Sequence, residues 1–243
     1  MKRKIWRIAS LALSSALLLL LSLTALSGRL DALPDAILSK DLPSVNIRDE
    51  KVQVILDAGH GGQDGGASSV DGTLEKDLNL AVVLRAKDLL SACGYDVLLT
   101  RSDDSMLGDG TAGHKKLADL KYRLDYANAH PDALLFSVHM NFFPQESCRG
   151  IQLYYSDNNE KSIALAESLH ARVKDLQPDN RREIKKALSN IYLLDRVQIP
   201  AVLIECGFLS NEEEAALLQS EDYQKTLSVL ILSAIDGYLK TDT

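Results

Sequence analysis

Four residues far apart in the chain carry side chains suited to metal-assisted hydrolysis. They are His60 in the loop DAGHGGQDGG (57 to 66), Glu75 in LEKDLNL, His139 in LLFSVHMN and Glu205 in PAVLIECGF. A catalytic zinc site takes three protein ligands from such groups and keeps a fourth position for water, whose pKa falls toward ~7. The fourth side chain is then free to act as a general base. Spacing alone leaves open which carboxylate would bind metal, because no pair follows the HExxH arrangement on one helix. Each member also has a plain structural alternative. A histidine at a strand end is commonly an ordinary hydrogen-bonding residue, and a carboxylate at a helix N-terminus complements the dipole. Glu205 is harder to explain that way, since it follows the apolar run Ala201, Val202, Leu203 and Ile204, where a charge must be paired, coordinated or catalytic. The glycine-rich loop has the composition of an anion cradle but lacks the Lys and Ser/Thr of a P-loop, which argues against a nucleotide site.

For these residues to meet, the chain must carry them to one edge of a sheet. Short β-rich runs at Val52 to Leu56, Asp96 to Thr100, Ala133 to His139, Ile151 to Ser156 and Ala201 to Glu205 alternate with helical patterns. This alternation predicts an α/β fold, a single domain with a twisted, mostly parallel sheet flanked by helices. Ligands of such sheets bind beyond the carboxyl ends of the strands, where three of the four residues fall. Leu78, Val82, Ala86, Leu89 and Cys93 recur at helical spacing before Gly94, a terminator, which puts Glu75 in the first turn of that helix. Further helices are expected over Leu117 to His130, Ile163 to Leu176, Glu212 to Leu218 and Tyr223 to Leu239. The glycine-rich stretch 102 to 116 reads as a long exposed loop, either functional or a solvated connection. Asp57, Asp64 and Asn141 lie close enough to orient a ligand or shape the loop, while His114, His130 and His170 read as surface or structural residues.

The first 27 residues form a separate segment. MKRKIWR carries four cations and no acid, and about 19 uncharged, mostly apolar residues follow, close to the roughly 20 that span a bilayer. The run exceeds the usual signal-peptide core, which favours an uncleaved signal-anchor. Ala25 and Ser27 before Gly28 make a cleaved signal peptide the alternative. Either way the basic tip keeps the N-terminus in the cytoplasm and the bulk outside. Residues 28 to 50, with two prolines and no sustained period, read as a linker, and the folded domain is expected over 51 to 243. The net charge of −7 becomes about −11 without the basic tip, a balance that argues against nucleic acid as a partner. Cys93, Cys148 and Cys206 are odd in number and show no CxxC spacing, so neither a disulfide framework nor a zinc knuckle is expected.

Five motifs in order, DAGHGGQDGGA (57 to 67), LEKDLNLAVVLRAKDLL (74 to 90), TRSDD (100 to 104), SVHMN (137 to 141) and PAVLIECGFLSNEEEAALL (200 to 218), resemble the zinc-dependent N-acetylmuramoyl-L-alanine amidases. The resemblance extends over residues 51 to 240. It implies one zinc ion per chain held by His60, Glu75 and His139, with Glu205 as the catalytic acid and base and peptidoglycan as the substrate. Within the family, GTAGHKKLADLKYRL (110 to 124), RREIKKALSNIYLLDRVQIPAVLIE (181 to 205), the hydrophobic N-terminus and the lack of wall-binding repeats are most similar to the spore-cortex amidases of endospore formers. Those enzymes strip the peptide from muramic acid, the first of two steps that make cortex muramic-δ-lactam. The competing expectations are a non-catalytic, membrane-tethered cell-wall binder and a zinc carboxypeptidase or deacetylase acting on the same polymer. Whether an activating protein partner is needed is left open by the residues.

Overall fold

A computed structural model describes residues 51–109 and 114–241. The segments expected as an anchor or signal peptide (1 to 27) and a linker (28 to 50) lie outside the described residues, as does the middle of the 102 to 116 loop. The strands are β1 (Gln53–Ala58), β2 (Asp96–Leu99), β3 (Leu134–Asn141), β4 (Gln152–Tyr155), β5 (Lys185–Lys186) and β6 (Ala201–Phe208). They form one sheet in the order β2-β1-β3-β6-β4-β5. The helices are α1 (Glu75–Ala92), α2 (Lys115–Asn128), α3 (Lys161–Leu176), α4 (Glu212–Gln219) and α5 (Glu221–Thr241).

Strands β2, β1, β3 and β6 run parallel, as the alternation of elements predicts. The expectation for the remainder is refined in two ways. Strand β4 is antiparallel to β6, and the very short β5 pairs with it in parallel. An apolar run carries no mark of its direction, so the reversal after Gly150 (φ 93°) was not readable from residues 151 to 156. β3 and β6 also continue past His139 and Glu205, so both residues sit within strands rather than at their last positions.

Side chains alternate across each strand, and this separates a structural face from a functional one. On one face Val54, Leu56, Ala58, Phe136, Val138, Val202, Ile204 and Cys206 pack with residues of α1, α3, α4 and α5 in the larger core. On the other, Ile55, Leu135, Ala201 and Leu203 pack against Ala127 of α2 and the 187 to 199 segment. Toward the carboxyl ends this second face turns polar: Asp57, Ser137, His139 and Glu205 replace its aliphatic residues. The strand register brings Asp57 level with Ser137, and His139 level with Glu205 and Gln152. A shift of pairing between β3 and β6 follows immediately after His139, so the ladder is irregular where Asn141 leaves the sheet.

Helix α1 opens after Leu74, which offers no side-chain cap, but Glu75 and Asp77 in its first turn complement the helix dipole. It ends at Cys93 and Gly94 (φ 90°), the terminator that the sequence predicts. α4 is capped by Asn211, whose side chain accepts from the backbone N–H of Glu214 at 3.0 Å. All three cysteines are free: Cys206 is buried in β6, and Cys93 and Cys148 are partly exposed. Among the described residues, no helix is long and apolar enough to cross a membrane.

Candidate metal centre and active-site cleft

The loop after β1 sets the position of His60. Gly59 continues the strand through its N–H to Val138 O at 3.1 Å, and Gly61 and Asp64 then exchange two backbone hydrogen bonds of 3.0 Å to close a tight turn. His60 itself has φ 62°, a left-handed conformation uncommon for a residue with a side chain and a form of strain found at functional sites. Two of the loop glycines pass too close to the site residues themselves to carry a side chain. A Cβ on Gly59 would lie 2.2 Å from Cε1 of His139, and one on Gly66 would lie 2.4 Å from Oε2 of Glu75. The backbone thus passes directly over the groups it helps to place.

Glu75 is 4% exposed, and its carboxylate is where the site converges. Its Oε1 lies 3.2 Å from Nε2 of His60 and 3.0 Å from Nδ1 of His139, and accepts the N–H of Met140 at 3.2 Å. Its Oε2 accepts the N–H of Ala67 at 2.8 Å. Burial opposes charge on this carboxyl, but His139 and His60 more than offset it and hold Glu75 well below the usual carboxylate range. Removal from water would lower the pKa of His139, yet its hydrogen bond and charge pairing with Glu75 raise it. Nδ1 of His60 is fixed at 3.0 Å by Asp64, so its Nε2 is the nitrogen turned inward.

His60, Glu75 and His139 form a group that could hold a metal ion, one donor atom from each lying within 4.8 Å of the others. Geometry provides a test of fit. Bonds of ~2.0 Å around a tetrahedral ion put neighbouring donors ~3.3 Å apart, close to the 3.2 and 3.0 Å separating each imidazole nitrogen from Oε1 of Glu75. Two neutral imidazoles and one carboxylate are also the donor chemistry that zinc favours. The residues present therefore fit such an ion.

Glu205 shares a cleft of ≈ 250 Å³ with His60 and His139, floored by β1, β3 and β6 and walled by α2 and residues 190 to 193. Its Oε2 is sealed from solvent and has no hydrogen-bond partner among the described residues. Burial pushes the Glu205 carboxyl up to about 7, against the pull of His139 and His60 and with the push of Glu75. Two carboxyls in one site are thereby driven apart: Glu75 stays ionised, while Glu205 is poised to hold or release a proton near neutrality.

The sequence-based expectations name Asp57 but omit the partners that hold it beneath this site. Arg123 of α2 is 2% exposed and donates to Asp57 Oδ1 at 2.6 Å, to Ala58 O and His60 O at 2.7 Å each, and to Asp119 at 2.7 Å. Asp57 also accepts from Thr100 Oγ1 at 2.7 Å and from Ser137 Oγ at 2.6 Å. Burial would raise the pKa of Asp57, but Arg123 and the two hydroxyls bring it down to about 2. Arg101 donates to the carbonyls of Ala58, Gly59, Lys76 and Asp103, while Asp104 accepts from Gly62 N–H and Lys76 Nζ. The TRSDD motif is therefore scaffolding for the histidine loop, and the start of the 102 to 116 stretch is no mere solvated connection. Two signals pointed this way: a carboxylate ending an apolar strand needs a counter-charge, and Asp119 and Arg123 have the i,i+4 spacing of an ion pair.

Of the remaining expected contributors, Asn141 lies at the end of β3, where its carbonyl accepts from Leu209 N–H at 2.8 Å. Its side chain makes no hydrogen bond among the described residues. His130 bonds Tyr126 O at 2.8 Å and His170 bonds Arg182 O at 3.0 Å, both structural roles, and His114 is exposed ahead of α2.

Fold and site together define a protein of the α/β class with a candidate metal-dependent hydrolase site in a cleft at the carboxyl ends of a mostly parallel sheet. The family model described as N-acetylmuramoyl-L-alanine amidase matches residues 54–237, and the chain belongs to that family. The germination-specific N-acetylmuramoyl-L-alanine amidase of Bacillus subtilis (strain 168) is 36% identical over 189 residues, covering 76% of this chain and 78% of that protein. The CwlD amidase from Clostridioides difficile, solved in complex with the GerS lipoprotein, superposes with a TM-score of 0.74 at 39% identity, covering 79% of this chain and 100% of that one. The catalytic domain of CwlV, an N-acetylmuramoyl-L-alanine amidase from Bacillus (Paenibacillus) polymyxa var. colistinus, gives 0.68 at 31% identity, over 78% and 98% of the two chains.

Two predictions follow from the supports of the site. The folded pKa of Asp57 lies below its ordinary value near 3.8. Its contribution is therefore present in full above about pH 4 and is lost as pH falls toward 2, amounting to about 2 kcal/mol. Urea unfolding between pH 5 and pH 2 is expected to show this loss, and Asp57→Asn to flatten it while costing about 3 kcal/mol at neutral pH, because Arg123 then keeps only Asp119 as a counter-charge. Gly59→Ala is expected to displace the His139 ring and weaken the affinity for a divalent metal ion at least about tenfold, as measured by competition with a metal-binding dye.

Proposed function

We propose that this chain cleaves the amide between the lactyl group of N-acetylmuramic acid and the L-alanine that begins the stem peptide. In this reading zinc is held by His60, Glu75 and His139, and Glu205 is the catalytic acid and base. The observation that carries it is the convergence of three donor atoms within 4.8 Å of one another, beside a cleft that also holds the Glu205 carboxyl, one oxygen of which has no hydrogen-bond partner among the described residues. Zinc bound there would supply a Lewis acid that polarises the amide carbonyl and acidifies water.

The chain's own residues divide the remaining work. With its pKa near 7, Glu205 takes a proton from the attacking water and returns it to the departing alanine amine. Asp64 holds His60 in one tautomer, and the backbone N–H groups of Ala67 and Met140 hold the Glu75 carboxylate in place. A pure cell-wall binder would have no use for a buried carboxyl of raised pKa beside a metal site.

The likeness to a germination-specific amidase supports action on spore-cortex peptidoglycan, where peptide removal precedes muramic-δ-lactam formation. Residues 1 to 27 then tether or export the catalytic domain, and 28 to 50 link it to the membrane, so that it works on the outer side. The lipoprotein bound to the C. difficile relative supports a protein partner for this chain as well.

Mass analysis of peptidoglycan digested by the zinc-loaded chain is the direct test. Free stem peptide beginning with L-alanine is expected; loss of terminal residues would indicate a carboxypeptidase instead, and an unchanged digest a binder. Metal analysis and turnover together test the assignment of roles. Glu205→Gln is expected to retain about one zinc per chain while turnover drops about 10²- to 10⁴-fold. His60→Ala and His139→Ala are expected to lose the metal itself.

A further inference from the structure

The cleft contains a cation that the proposed reaction does not use. Among the described residues that line it, the permanent cations are Arg123 and Lys116. Arg123 is sealed beneath the floor by Asp57 and Asp119, whereas the Lys116 side chain is 66% exposed. Lys116 is therefore the positive charge that a ligand entering from solvent meets. The helix gains nothing from it, because a lysine in the first turn of α2 opposes the helix dipole, and that turn carries no acid.

The contacts of Lys116 connect it to the metal centre. Its Nζ lies 3.1 Å from Asp64 Oδ2, the same oxygen that holds Nδ1 of His60 at 3.0 Å. Two such contacts and one imidazole ring separate the ammonium from Nε2 of His60. Two to three residues of extended peptide, at ~3.3 Å each, bridge that span. A peptide whose scissile carbonyl lies at the metal centre can thus bring the residue after its first alanine to Lys116. The ammonium has donors left over after Asp64, and in a cleft whose acids are Asp57, Asp64, Asp119 and Glu205 it is the solvent-facing group that favours an anion.

We propose that Lys116 is a specificity residue that binds a carboxylate on the stem-peptide residue following L-alanine. The proposal rests on the amidase reading of the site and adds to it a preference for acidic over amidated stem peptides. Asn190 and Tyr192 line the same cleft and would bound the subsite.

The experiment compares two synthetic substrates with the zinc-loaded full chain. One is a muramoyl-L-alanyl-D-glutamyl peptide whose glutamyl α-carboxylate is free; the other is the same peptide with that group converted to the carboxamide. Wild-type protein is expected to prefer the acid, and Lys116→Ala to reduce the acid-to-amide ratio of kcat/KM about tenfold, through KM of the acid. Lys116→Arg should restore the preference, and Lys116→Glu should invert it. A purely structural role, acting through Asp64 on His60, would instead depress both substrates equally and leave the ratio unmoved. That result, or a wild-type protein indifferent to the two substrates, would overturn the proposal. Failure of wild-type protein to cleave either substrate would instead count against the amidase reading.

Discussion

The guanidinium of Arg123 sits where β1, the loop that follows it and α2 come together, matched in charge by Asp57 on one side and Asp119 on the other. Charge pairing is only part of its role, since the same group also donates to the carbonyls of Ala58 and His60. One planar cation thereby ties the end of a strand, the backbone of a proposed metal ligand and a wall of the cleft into a single rigid unit. Burying an ion pair is costly, and an apolar replacement of equal volume often serves stability as well. What an apolar replacement lacks is directed donors for two carbonyls that the tight turn leaves without strand partners. Lysine offers no substitute, because a point charge on a flexible stem does not reproduce a five-donor planar fork.

The unit matters because His60 is held in a conformation the chain would not choose unaided. A left-handed backbone at a residue with a Cβ is unfavourable, and it persists where surrounding contacts over-determine it. Here Arg123 holds the His60 carbonyl, Asp64 holds its ring, and Arg101 grips the preceding Gly59 carbonyl together with that of Ala58. Glu75 then receives the imidazoles of His60 and His139 on one oxygen. Two of the three donor separations are thus already close to those of a loaded site, which limits the reorganisation that loading requires.

The fold class and the four converging residues were legible in the sequence because each left a local mark. His60 lay among glycines, Glu75 opened an amphipathic helix, and His139 and Glu205 lay at the carboxyl ends of apolar runs. The supporting residues were legible only in part. Asp57 was visible as a charge at the end of an apolar strand, but its partners Thr100, Arg123 and Ser137 lie 43, 66 and 80 positions away. Pairing over that distance is decided by tertiary packing, not by periodicity. The same holds for the reversed direction of β4 and the two-residue β5, since alternation encodes which face a side chain occupies and not which way its strand runs. The residues 190 to 193 that wall the cleft fall within the 181 to 205 stretch that carries the likeness to spore-cortex amidases, but nothing in their types points to a cleft; they are placed by the smaller core around Leu194, Val197 and Ile199.

Strands β1, β3 and β6 each serve two masters, an aliphatic face packed under helices and an opposite face that becomes chemical at its carboxyl end. The odd-numbered positions of these strands are the working ones: Asp57, Ser137, His139 and Glu205. Substitution and length change therefore have very different consequences here. Exchanging one aliphatic residue for another leaves every neighbour on its own side. Inserting or deleting a single residue upstream of His139 or Glu205 would swap parity, turning an imidazole or a carboxylate into the oil beneath α1 and α5 and a valine or isoleucine into the cleft. A sheet built this way accepts many exchanges that respect parity and few changes of length, a constraint on how far its strands can vary while the backbone path is kept.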